Sequence, residues 1–149
     1  MALGVSGLGL VLPGMREAAA EAVVANVHTG LAIDGFDPVT YFVDGAPQVG
    51  RAAFELHSGG ATWRFRNEGN RAAFAANPDV YRPRFGGHDP TAMARGVATP
   101  GNPEIWQIAG KRLYLFYNTE NRADFAKGTD SVIEAAEQRW PEVSRSLLP

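Results

Sequence analysis

Two stretches of the chain decide the fold. Residues 54–77 read FELHSGGATWRFRNEGNRAAFAAN, and residues 105–128 read IWQIAGKRLYLFYNTENRADFAKG. Aligned at an offset of 51, residues 55–75 and 106–126 share eight identities in 21 positions, which indicates one structural unit used twice. The identities are Gly59/Gly110, Phe65/Phe116, Asn67/Asn118, Asn70/Asn121, Arg71/Arg122, Ala72/Ala123, Phe74/Phe125 and Ala75/Ala126.

Each stretch predicts a hairpin. In the first, apolar and polar residues alternate on both sides of Gly59-Gly60, which is typical of a two-stranded ribbon with one exposed face. In the second, residues 113–117 are apolar or aromatic at every position, so this strand is expected to be covered on both faces. The first loop implies three cross-strand pairs: Phe54 with Phe65, Leu56 with Trp63 and Glu55 with Arg64.

A helix follows each hairpin. Asn67 is the expected N-cap of the first helix, and Asn77-Pro78 its end. The second helix is predicted to start at 118 or 119, to end at 127 and to stop at Gly128. Both stretches are therefore ββα units, in which Phe74 and Phe125 pack equivalently and Arg71 and Arg122 point outward.

The remaining segments complete an α+β fold: an antiparallel sheet built from two ββα units, with additional terminal helices. Residues 39–43 are predicted as a short strand, 81–87 as an extended or looped segment, 91–95 as a helical turn and 99–103 as a loop. The amphipathic pattern of 131–140 predicts a helix that Pro141 ends.

Length and composition favour one globular domain. The chain has 149 residues, a net charge of −2 and no cysteine. The absence of cysteine excludes disulfides, thiolate-bound metal and a cysteine nucleophile. The near-neutral charge argues against a nucleic-acid partner.

The amino terminus reads as a separate segment. Residues 1–15 carry no charged side chain and resemble the apolar part of a secretory signal, although a basic start is missing. The alternative is a short apolar arm packed on the domain, because this stretch is too short to span a bilayer. Residues 16–26 are predicted as a short helix. We therefore divide the chain into a leader or arm (1–30) and a single domain (31–149), with periplasmic or exported localisation expected and cytoplasmic localisation as the alternative.

Five short motifs, in order, resemble the YHS domain family of small bacterial, often exported proteins. The resemblance covers about residues 33–141 and implies a compact ββα-based domain, related to treble-clef-like metal-binding folds, with metal handling among its members. Relatives often have Tyr-Cys where this chain has His88-Asp89, so an inherited metal function would use imidazole and carboxylate on a divalent ion. The motifs are Asp37-Pro38-Val39 with Tyr41-Phe42, Asn77-Pro78-Asp79-Val80-Tyr81, Pro83-Arg84-Phe85-Gly86-Gly87, Gly101-Asn102-Pro103 with Trp106, and Leu113-Tyr114-Leu115.

The candidate site lies around the double glycine, whose backbone allows close approach of a ligand. His88 and Asp89 are the candidate metal ligands; the alternative for Asp89 is that it caps the helix after it. For Asp37, the alternatives are that it lines the pocket or that it simply starts a turn. Four arginines (64, 66, 82 and 84) are candidates for binding an anion; the alternative is that they are solvated or paired with glutamates. The candidate ligand-binding residues are Asp37, Tyr41, Arg84, Gly86, Gly87, His88 and Asp89.

Three function classes are compatible with these patterns, of which an enzyme acting through His88 and Asp89 ranks last. The first is a non-catalytic module that binds a small ligand or a divalent metal ion. The alternative is a structural or protein-interaction domain that forms a homo-oligomer or serves a partner without a small-molecule site. No nucleophile elbow, phosphate-binding loop or dinucleotide fingerprint is present, and nothing in the sequence argues for catalysis.

Overall fold

The computed structural model describes residues 22–149; the predicted apolar stretch over 1–15 and the first part of the predicted helix over 16–26 lie outside this range. The helices and strands confirm the α+β class, and the strands form two separate two-stranded antiparallel sheets, β1-β2 and β3-β4. In chain order the elements are α1 (Thr40–Val43), β1 (Arg51–Ser58), β2 (Ala61–Phe65), α2 (Glu68–Ala76), α3 (Pro78–Tyr81), α4 (Pro90–Met93), β3 (Asn102–Ala109), β4 (Arg112–Phe116), α5 (Thr119–Lys127) and α6 (Thr129–Leu147), with 3-10 turns at Ile33–Gly35 and Arg84–Gly87.

The first hairpin has the predicted register near its loop, where Leu56 lies opposite Trp63 and Glu55 opposite Arg64. The predicted pair of Phe54 with Phe65 is wrong, because a bulge between residues 51 and 55 places Arg51 opposite Phe65. The second hairpin has the same irregularity between residues 102 and 106.

A glycine precedes the bulged strand in each hairpin. A Cβ at Gly50 would lie 2.5 Å from the carbonyl carbon of Arg64, and one at Gly101 would lie 2.6 Å from the Cβ of Leu115. Only glycine permits this approach of two backbones. The strand begins at Asn102, so the loop predicted over 99–103 ends two residues earlier than expected.

The predicted strand over 39–43 is instead the helix α1. The Asp37 carboxylate accepts a hydrogen bond from the Val39 amide at 2.8 Å, and Pro38 fixes the backbone as the helix begins. A short apolar run does not distinguish strand from helix by periodicity. The bond from the Val39 amide to Asp37 comes just before the first helical residue, Thr40.

The helices α2 and α5 have the predicted caps. The Asn67 side chain accepts from the Asn70 amide at 2.8 Å, and the Asn118 side chain from the Asn121 amide at 2.8 Å. The helix α2 ends at Ala76, before Asn77-Pro78, and α5 ends at Lys127, before Gly128. Tyr81 ends α3, so the segment predicted as extended or looped over 81–87 starts one residue later than expected. Arg82 and Pro83 are extended, and Arg84–Gly87 form the 3-10 turn, in which Phe85 and Gly86 have positive φ.

The two core phenylalanines occupy equivalent positions. Phe74 is fully buried, with ring centroids 5.0 Å from Trp63 and 5.2 Å from Phe65. Phe125 is also fully buried, 5.1 Å from Tyr114 and 5.1 Å from Phe116. The predicted equivalence is confirmed. We call residues 33–81 the first unit and residues 85–147 the second unit.

Strand β4 is covered on both faces, as predicted. Leu113 and Leu115 belong to the core cluster of the first unit, together with Trp63 and Phe74. Tyr114 and the next residue along that face, Phe116, pack against α5 and α6. This one strand therefore joins the two cores.

Helix α6 extends to Leu147, so the predicted end at Pro141 is wrong. The apolar face continues past the proline, with Trp140 and Val143 packed in the second core cluster. The Pro141 carbonyl accepts from the Arg145 Nε at 3.0 Å. Apolar residues before and after Pro141 pack on the core, and this packing outweighs the single backbone hydrogen bond that proline removes.

The described start of the chain is extended, so the part of the predicted helix that falls on 22–26 is wrong. Ala25 pairs with Ala32 in a narrow antiparallel bridge. The Val24 amide donates to the Gly86 carbonyl at 2.8 Å, and the Ile33 amide donates to the Val24 carbonyl at 2.9 Å. Within residues 22–149, no helix is both long and apolar enough to cross a membrane.

Candidate ligand-binding site

Two buried aspartates organise the turns from which the candidate site was predicted. The Oδ1 atom of Asp89 accepts from the Thr91 and Ala92 amides at 2.7 and 3.1 Å. Its Oδ2 atom accepts from the Tyr117 amide and from the Asn121 side chain, both at 2.8 Å. These four bonds fill the lone-pair positions of a carboxylate. The geometry favours the capping alternative for Asp89, because a metal ion would have to displace one of these donors.

Asp37 has the same role in the first unit. Its Oδ1 atom accepts from the Val39 amide at 2.8 Å, and its Oδ2 atom from the Arg66 amide at 2.8 Å and the Asn70 side chain at 2.7 Å. Both aspartates are fully buried. Each one ties the start of a short helix to the end of a hairpin and to an asparagine of the next helix.

The repeat is therefore longer than the sequence comparison showed. Gly35-Phe36-Asp37-Pro38 corresponds to Gly87-His88-Asp89-Pro90 at an offset of 52, whereas the hairpins and helices align at 51. The segment between the Asp-Pro pair and the hairpin is one residue longer in the first unit. A comparison at one fixed offset therefore misses the correspondence of the two Asp-Pro pairs. The signal that was available is the repeated Gly-x-Asp-Pro motif.

His88 is nearly buried against α6. Its Nδ1 donates to the Phe85 carbonyl at 2.8 Å, and its ring centroid lies 5.8 Å from that of Trp140. Burial lowers the pKa of His88, and the hydrogen bond to the Phe85 carbonyl partly opposes this shift. Among residues 22–149, no group of three or more histidine, aspartate and glutamate side chains is placed to hold a metal ion.

Tyr41 of the first unit contacts the second unit through both its hydroxyl and its ring. Its hydroxyl donates to the Pro103 carbonyl at 2.7 Å, and its ring meets Trp106 edge-on with centroids 5.3 Å apart. Burial raises the pKa of Tyr41, and the negative charges of Glu104 and Asp37 raise it further. The structure does not bring this hydroxyl to the double glycine.

A cleft of about 280 Å³ opens beside Gly86. It contains two of the predicted residues, Arg84 and Gly86, but not Asp37, Tyr41, Gly87, His88 or Asp89. Its other walls come from α6 and from the start of β4, which are remote in sequence, so sequence reasoning missed them. The lining residues are Ala22, Asp79, Arg82, Pro83, Arg84, Phe85, Gly86, Arg112, Trp140, Ser144 and Leu148.

Guanidinium groups dominate the charge of this cleft. Arg84 forms an ion pair with Glu137 of α6, and Arg82 donates to the Ser58 hydroxyl at 2.6 Å. Arg112 is half-buried and forms no ion pair with the residues that the structure describes. Among residues 22–149, the lining holds three arginines and one carboxylate, that of Asp79.

The buried phenol of Tyr114 lies close to these groups. Burial raises the pKa of Tyr114; the positive charges of Arg84 and Arg112 lower it, and the negative charge of Glu137 raises it. The arginines and Glu137 therefore form one electrostatic cluster above the second core.

A second cleft, of about 240 Å³, has His88 in its wall. The extended segment 22–25, Pro100 and Leu147 form the rest of the lining. His88 thus lines a cavity, but it is not among the residues that line the arginine-lined cleft.

Comparison of the chain with protein-family models, with curated proteins and with solved structures gave no match. The resemblance to YHS domains therefore stays a prediction from sequence motifs.

Proposed function

We propose that this protein is a non-catalytic binding module of the YHS type, which takes a small ligand in the cleft beside Gly86. The single observation that carries the proposal is the mixed lining of that cleft. Phe85, Trp140 and Pro83 provide apolar surface, and arginine side chains provide polar groups that converge on it. Small-molecule sites combine these two features, and a volume of about 280 Å³ fits a ligand of few atoms.

The environment of the two buried carboxylates argues against Asp37 and Asp89 as general bases. Asp37 and Asp89 are both held by backbone amides and by an asparagine. A general base must reach the proton that it removes, and these groups face backbone.

Metal binding at His88 and Asp89 remains a separate prediction, to be checked by calorimetry with zinc on protein without an affinity tag. Export to the periplasm belongs to the same proposal and rests on the apolar pattern of residues 1–15.

One observation favours the second candidate, an interaction domain. Val43 is 61% exposed and Val80 is 44% exposed, beside the edge-to-face pair of Phe42 and Tyr81. This apolar patch lies on the first unit. Sedimentation analysis of wild type and Val43→Asp tests it: an oligomer that the variant dissociates supports an interaction role, and a monomeric wild type removes self-association.

The binding proposal is tested by screening small fragments with amide NMR spectra and mapping the shifts. We expect bound fragments to shift the amides of Arg84, Gly86 and Arg112. Ser144→Trp fills the cleft and should abolish these shifts. Ser146→Trp is the matched control, because Ser146 lies on the same helix, outside the cleft, and has a comparable hydrogen bond to a backbone carbonyl. A screen in which no fragment shifts the cleft residues contradicts the proposal.

A further inference from the structure

The geometry points to a small organic carboxylate as the ligand of this cleft: its carboxylate would pair with Arg112 and Arg84, and its apolar body would lie on Phe85 and Trp140. This inference rests on the proposed function, because it names the ligand class of the same site. It also assigns Glu137 the role of an internal competitor for Arg84.

Arg112 is the first argument for an anion. It stands at the start of β4, half-buried in the cleft wall, and forms no ion pair with the part of the chain that the structure describes. Its guanidinium group presents a planar set of donors that matches a carboxylate with two parallel hydrogen bonds. A partly desolvated cation without an acidic partner gains more from such an anion than a fully hydrated one does.

Arg84 provides the second argument, because it already holds a carboxylate. Glu137 reaches it from α6, and the two side chains are 26% and 43% exposed. Ion pairs with this degree of exposure are weak, so a ligand that also contacts Arg112 can replace Glu137. The position of the Glu137 carboxylate shows that the approach to Arg84 suits this chemical group.

The apolar wall argues for an organic ligand over an inorganic anion. Phe85 and Trp140 meet edge-to-face with centroids 5.9 Å apart, and Pro83 and Leu148 extend the same surface. Inorganic phosphate would pair with the arginines but leave this surface in water. A carboxylate attached to a ring or a short alkyl chain uses both parts of the cleft.

Isothermal titration calorimetry with three probes tests the inference: benzoate, its neutral counterpart benzamide, and inorganic phosphate. We expect benzoate to bind about tenfold more tightly than either of the others, because only benzoate combines the charge with the ring. Benzamide equal to benzoate, or phosphate stronger than benzoate, overturns the carboxylate assignment. In both of those cases a ligand still binds the cleft, and the proposed function stands.

Three variants locate the effect. Arg112→Gln should weaken benzoate about tenfold, and Glu137→Gln should strengthen it several-fold, because the internal competitor is removed. Arg122→Gln, on the exposed face of α5, is the control and should change nothing. Arg112→Lys, which retains the charge without the planar fork, should fall between wild type and Arg112→Gln; it serves if circular dichroism shows that Arg112→Gln is unfolded.

The contrary results are distinct. If Glu137→Gln binds benzoate no better than wild type, Glu137 is a structural partner of Arg84 and the competition is refuted. If none of the three probes binds while other fragments still shift the cleft amides, the carboxylate assignment is wrong and the binding module stands. If no fragment reaches the cleft at all, the proposed function itself fails.

Discussion

The first and second units share one backbone frame and differ in the residues that face outward. On the outer face of β2, Arg64 pairs with Glu55 at 2.8 Å and stays partly exposed. The corresponding position on β4 is Leu115, which is fully buried in the core of the first unit. The frame therefore tolerates either an exposed or a buried outer face. Its shared parts are the capping aspartate, the two asparagines and the phenylalanine beneath the hairpin.

The units also differ in the helix that comes after the ββα frame. The first unit continues into α3, which has 4 residues, whereas the second continues into α6, which has 19. Helix α6 supplies Trp140 and Ser144 to the arginine-lined cleft. The candidate site thus depends on an element added to the repeat, and the first unit has no equivalent of it.

Exchanging the outer residues of the two units should produce the largest effect. Leu115→Arg buries a charge without a partner and should cost about 4–5 kcal/mol or more of unfolding free energy. The reciprocal Arg64→Leu removes only a partly exposed ion pair and should cost less than about 1 kcal/mol. Urea denaturation of both variants measures the difference. Equal losses would show that the outer faces are not in different environments.

Truncating the equivalent phenylalanines should come next. Phe74→Ala and Phe125→Ala each empty a fully buried ring site, so each should cost about 3–5 kcal/mol. Thermal or urea melts give the two values, which we expect to agree within about 1 kcal/mol. A large cost in one unit with a negligible cost in the other would break the proposed equivalence.

The capping aspartates should give an intermediate effect. Asp37→Asn and Asp89→Asn retain the shape but turn an acceptor into a donor that faces an amide, which should cost about 2–3 kcal/mol at each site. Asp124→Asn, an exposed change on α5 that also loses an ion pair, is the control and should cost less than about 0.5 kcal/mol. If Asp89→Asn were neutral while it abolished zinc binding, Asp89 would be a metal ligand and the capping interpretation would be wrong.

The smallest effect concerns the position at which the motifs differ, Phe36 in the first unit and His88 in the second. Burial lowers the folded-state pKa of His88, so the unfolded chain takes up its proton first as the pH falls below about 6.5. Wild type should therefore lose stability over that range, whereas above it this histidine contributes no pH dependence. His88→Phe copies the first unit and should remove this component, at a cost of about 1 kcal/mol or less near neutral pH.

Urea titrations between pH 5 and 8 compare the two proteins. If wild type and His88→Phe respond identically to pH, the buried histidine has no part in the response.

Much of the fold can be predicted from local sequence signals. Asn67 and Asn118 identify the helix starts because a capping side chain acts over three residues, and the alternation on both sides of Gly59-Gly60 gives the register near the loop. The bulge at residues 51–55 was not predictable from this alternation. It follows the close approach of Gly50 to the backbone of Arg64, which lies on the other strand of the hairpin. Helix α1 was missed because the short apolar run over 39–43 fits a strand as well as a helix.

The candidate site was predictable only in part. The double-glycine turn identified Arg84 and Gly86, which do line the cleft. Arg112 and Trp140 were not identified, because each is an ordinary strand or helix residue until the second unit folds back on the turn. His88 and Asp89 were selected for their chemistry, but burial and hydrogen bonding, which a linear pattern does not show, govern what these two side chains can do.

The contact of Val24 with both units has a consequence for the order of folding. Its amide donates to Gly86 of the second unit, and its carbonyl accepts from Ile33 of the first. Each hairpin closes a short loop and can form early, but the bond to Gly86 links positions more than sixty residues apart in the sequence. A Cβ at Gly86 would collide with the Ala22 carbonyl, so only glycine at this position lets the segment at Ala22 pack against the turn. The Val24 amide should therefore be a late reporter in pulsed hydrogen exchange, protected only after the two halves have docked.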